Sequence, residues 1–148
     1  MRALSLLGLL AAAVAAGPDA PGFHAHADRR ARLARTLGAD YALVLGQPLT
    51  DVLQPRAEGH LLYLTGVDDP DASLLLAGDD AAPLPLPGGP GTARTVVFLR
   101  YDNPRFARFF GFRYAPGPAA EAALGVEATR AAPRGGYGMA ARLAGMLP

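Results

Sequence analysis

The chain has 148 residues and no Cys, and its 14 basic residues, all of them Arg, against 13 acidic ones give a formal net charge of +1 at pH 7. The lack of Cys excludes a disulfide framework, a thiol nucleophile and thiolate metal ligands. The balanced charge excludes the long-range basic field behind non-specific nucleic-acid binding, and an all-Arg usage beside so much Ala, Gly, Pro and Leu fits GC-rich codons better than phosphate recognition.

Met1 to Ala16 carries Arg2, an apolar run from Leu4 through Ala13 and a small-residue end, the pattern of a cleaved export signal. The run is shorter than the roughly 20 residues a bilayer span needs, so no membrane span is expected after signal removal. Without Arg2 the charges balance at 13 against 13. An exported location, periplasmic or secreted, follows. Residues 17–27 are rich in Pro, Gly and Ala without periodicity and read as a flexible N-terminus. His24 and His26 lie in it, two ligands without a third and thus a poor metal site.

A helix is expected from Asp28, as N-cap, to Leu37, with Gly38 ending it. Leu33, Ala34 and Leu37 share its apolar face, and Arg29, Arg32 and Arg35 form a wet row. Tyr41 to Leu45 is continuously apolar, which suits the centre of a sheet covered on both faces. A polar loop over 47–59 precedes two short strands, Leu61–Leu64 and Ser73–Ala77, on either side of a Gly66–Asp71 corner. Turn chemistry around Pro70 accounts for Asp68, Asp69 and Asp71 more simply than a cation site does.

Asp79 to Gly91, with Pro83, Pro85, Pro87, Pro90 and three Gly, reads as an irregular connection. Thr95–Leu99 is a second buried strand. Pro118–Leu124 is an Ala-rich helix with Pro at its start and Gly125 after its end. Residues 131–148 form a short tail. The alternation of strands and helices predicts an α/β fold, a mixed sheet flanked by helices.

Residues able to carry chemistry are sparse. His60 is expected as a hydrogen-bonded residue at the start of a strand. Ser73 lies in an apolar run without a nucleophile elbow. Glu58, Glu121 and Glu127 are scattered, and no His-Glu-x-x-His or two-metal spacing occurs. Gly88-Gly-Pro-Gly91 lacks the Lys and helix start of a phosphate loop.

Two blocks carry more information. Arg56-Ala-Glu-Gly-His-Leu-Leu-Tyr63-Leu64-Thr65-Gly66, an acidic turn with Pro70, then Ala72 and an apolar strand is similar to the core signature of the aminopeptidase P N-terminal domain, in the creatinase/prolidase-like family. Gly59 and Leu61 stand where that pattern usually has Ser and Phe. Phe98-Leu-Arg100, then Arg108-Phe109-Phe110-Gly111-Phe-Arg113 and the Ala-rich helix closing on Gly125-Val126, resembles the family's second block, with Ala107 and Phe109 in place of Glu and Trp. The resemblance spans about residues 28–130.

It implies a ribonuclease H-like, creatinase N-terminal type of sheet. It also implies a structural signature of Arg56, Tyr63, Thr65, Gly66, Pro70, Gly111, Arg113 and Gly125. Phe109 matches the aromatic side chain that helps close the substrate cleft, and could equally be core with Phe106, Phe110 and Phe112. Arg56 is expected to fasten a loop through a carboxylate.

The family's chemistry, removal of an N-terminal residue preceding proline, resides in a C-terminal domain holding two manganese ions. This sequence resembles only the other, non-catalytic half, so no catalytic residue, metal or cofactor is expected within it. The implied partners are a separate catalytic domain, a homo-oligomer, and peptides with proline at the second position; no nucleic acid is implied. The alternative is a stand-alone dimerisation or peptide-binding module without turnover. A small hydrolase using His60 is the third reading.

Overall fold

The computed structural model describes residues 23–46, 59–69, 71–100 and 114–132, with Gly145. The signal segment, Arg56, Pro70, the Phe106–Arg113 block and nearly all of the 131–148 tail lie outside these residues.

Helix α1 spans Phe23–Leu37, five residues more than Asp28 as a cap predicts. Nothing in Phe-His-Ala-His-Ala breaks a helix, so strong formers downstream extend it back to Phe23. Asp28 is therefore exposed on a mid-helix turn, and His24 and His26 are helical rather than part of a mobile tail. The C-terminal end is sealed as expected, by Gly38 at φ 58 with its N–H on the Ala34 carbonyl at 3.2 Å.

Strand β1, Tyr41–Leu45, pairs antiparallel with β2, Ser73–Ala77. Between them α2 covers Gly59–Thr65, where a strand was expected over Leu61–Leu64. Four residues are too few for periodicity to separate helix from strand. Burial shows the helical spacing, because Leu61, Leu64 and Thr65 are inside while Leu62 and Tyr63 face out. Gly66, at φ 73, stops the helix with its N–H on the Leu62 carbonyl at 2.8 Å.

The 79–91 stretch is less irregular than its prolines suggest. Leu84–Pro85 (β3) and Thr92–Ala93 (β4) form a two-stranded antiparallel ribbon. Leu84 is wholly buried, and that anchor outweighs the Pro content. Strand β5, Thr95–Leu99, and helix α3, Pro118–Leu124, match expectation. Strand β6, Ala128–Ala131, has too little β-branched character to be legible.

The main sheet runs β1-β2-β5-β6, antiparallel across the first three and parallel between β5 and β6. This is the mixed α/β arrangement expected. Among the described residues β1 stands at one end of the sheet order, where the sequence suggests a centre, and the buried middle is β2 with β5. Its continuous apolar run arises because both faces are partly covered, Ala42 and Val44 on one and Tyr41 and Leu43 on the other.

Alternation along β2 and β5 divides the interior in two. Leu74, Leu76, Val97 and Leu99 face α1, α2 and α3 through Leu61, Leu64, Val67, Ala120 and Leu124. Leu75, Ala77, Val96 and Phe98 face the β3–β4 ribbon through Ala81, Leu84 and Ala93. Each such fully buried side chain contributes about 1.5–3 kcal/mol, so β2 and β5 together carry most of the apolar burial of the sheet. No described helix is long and apolar enough to cross a membrane.

The end of α1 and the end of β2 close on each other. The Gly78 N–H donates to the Asp40 carbonyl at 2.9 Å and the Asp80 N–H to that of Gly38 at 2.9 Å. A Cβ on Gly78 would sit 2.3 Å from the Gly38 oxygen, which is backbone and cannot move aside. Gly78→Ala is expected to cost about 1–3 kcal/mol. Gly59→Ala, whose Cβ would meet nothing within 4 Å, should change stability by less than about 0.5 kcal/mol, both read by urea unfolding.

Candidate functional site

The described polar groups concentrate where α1 crosses the ends of α2 and α3. A helix terminus leaves its last carbonyls without intrahelical partners and carries partial negative charge. Arg30 answers two such ends at once. Its Nη1 donates to the Leu64 carbonyl at 2.8 Å, and its Nη2 to those of Leu124 at 3.2 Å and Gly125 at 2.6 Å.

The residue is only 4% exposed, and this burial lowers the guanidinium pKa from its ordinary value. An Arg starts high enough to stay charged at neutral pH. Three carbonyls in a planar fork, reaching two helices, replace its water.

One turn outward the same helix end meets solvent. The Arg29 guanidinium stacks over the Tyr63 ring, 4.1 Å from its centroid, and Nη1 donates to the Tyr63 carbonyl at 3.0 Å. His26 Nδ1 lies 2.9 Å from the same carbonyl, a contact in which that nitrogen carries the hydrogen. The imidazole fills the space above Gly66, with Nε2 3.0 Å from where a Cβ would stand. Tyr63 and Leu62 remain 52% and 43% exposed, so the face is aromatic and apolar at its centre with a cation lying on the ring.

Thr65, beneath it, is buried. Its hydroxyl donates to the Leu61 carbonyl at 2.7 Å and accepts from the Val67 N–H at 3.0 Å. The Thr-Gly pair thus ends α2 and turns the chain into the acidic corner.

There Asp71 holds a left-handed backbone, φ 58, and its carboxylate pairs with Arg100. Asp69 is only 2% exposed. The corner is a turn joined to the end of β5. Ser73 is completely buried in β2, closed to any substrate.

Two of the scattered carboxylates serve the strands. Glu121 Oε1 accepts the Thr129 N–H at 2.9 Å and lies 3.9 Å from Arg130, which fixes α3 to β6. Glu127 Oε2 accepts the Arg94 N–H at 2.7 Å. Gly125, at φ 59, terminates α3. His60 lies exposed in the first turn of α2 rather than at a strand start. Among the described residues no cluster of three His, Asp or Glu could hold a metal ion.

Of the expected signature, Tyr63, Thr65 and Gly66 come together at the end of α2, and Gly125 joins them through Arg30. Arg56, Pro70, Phe109, Gly111 and Arg113 are outside the described residues. The row of Arg29, Arg32 and Arg35 divides: Arg32 and Arg35 are exposed, whereas Arg29 holds Tyr63. Arg30 escaped the sequence reading, although a signal was present. It occupies the apolar stripe with Leu33, Ala34 and Leu37, at the i, i+3, i+4, i+7 spacing of an inward face.

Residues 26–134 match the family model described as aminopeptidase P, N-terminal domain. No curated protein matches the chain. Among solved structures it is similar to Escherichia coli aminopeptidase P in its low-pH form, with TM-score 0.56 and 23% identity over 74% of this chain and 24% of that one. With the inhibitor Pro-Leu, the same enzyme gives TM-score 0.59 and 22% identity over 84% of this chain and 26% of that one. Its zinc-substituted product complex gives 0.59 and 21% over the same shares, 84% and 26%. The chain therefore spans about a quarter of the length of these solved chains.

Arg30→Met is expected to strand three buried carbonyls and cost about 3 kcal/mol or more. Arg30→Lys should recover only part of this, since an ammonium lacks the fork that reaches both helices. Tyr63→Ala should stay within about 1 kcal/mol of the parent. Chemical denaturation of the three variants orders them.

Proposed function

We propose a role that starts from one fact: the chain belongs to the family of aminopeptidase P N-terminal domains. It acts as a non-catalytic domain of an exported Xaa-Pro aminopeptidase-like metallopeptidase, helping to assemble the enzyme and to close one end of its substrate cleft. The observation that carries this reading is the match over residues 26–134, against solved chains of which it spans only 24–26%.

The chemistry of the described residues supports it. Glu121, Glu127 and Asp71 are each committed to a structural contact, and Ser73 is sealed from solvent. These residues do not fit the two manganese ions of the family, which belong in this reading to the catalytic domain. That domain polarises and hydrolyses the peptide bond before proline. The present chain supplies shape. Phe109 lies within the matched span and by resemblance provides the aromatic wall that admits only a free amino terminus; the Tyr63 face of α2 offers a second, rigid contact surface.

Hydrolysis of Xaa-Pro peptides by the purified chain with added manganese, before and after chelation, tests the reading. No turnover is expected in either condition. Turnover that chelation abolishes would contradict it, placing a complete metal site within these 148 residues.

A further inference from the structure

We draw no further inference here: the strongest candidate, the exposed Tyr63 face of α2 beneath the Arg29 guanidinium, carries nothing because nothing in the structure shows what covers it.

Discussion

A single buried guanidinium organises the helical layer. Placing Arg30 inside the molecule has a desolvation cost that no apolar contact offsets, and it is tolerable only while the carbonyls at the ends of α2 and α3 stay within reach. The constraint acts in both directions. The helix ends need donors, the donor needs both ends, and one side chain thereby ties α1 to two other helices. Because α2 is held by its C-terminus, the residues that do not face the sheet, Leu62 and Tyr63, are presented outward at a defined angle. Arg29 and His26, on the same turn of α1, then order the exposed ring from above.

The architecture separates stability from recognition. The sheet is sealed on one face by helices and on the other by the small β3–β4 ribbon, and Asp71, Glu121 and Glu127 are bound up in joining elements. At the surface the described residues present a stacked aromatic on α2, Tyr63 beneath Arg29. The commitments of those carboxylates support the non-catalytic role proposed for the chain.

The elements that were legible in the sequence are those whose local chemistry is redundant. Pro118 at the start and Gly125 at the end bracket α3, Gly38 stops α1, and Ser73–Ala77 and Thr95–Leu99 are apolar enough to be strands in any setting. The Tyr-Leu-Thr-Gly block identified the family, yet its conformation was misread, since Leu61–Leu64 is too short for its period to show. The position of β1 at one end of the sheet order is decided by pairing partners dozens of residues away, which no local pattern encodes. Strand β6 depends on Glu121 and a parallel neighbour, both non-local. For the site, Tyr63 and Gly66 were visible, but Arg30 was hidden among the other cations of Arg29–Arg35; its place on the apolar stripe was the evidence that it turns inward.

The claim that one cation holds two helices is open to a direct measurement, native-state amide hydrogen exchange on the parent and Arg30→Met. Simultaneous loss of protection in α2 and α3, with β2 and β5 still protected, is the predicted result. Loss confined to one helix, or spread evenly over helices and sheet, would mean that the two helix ends are not joined through Arg30.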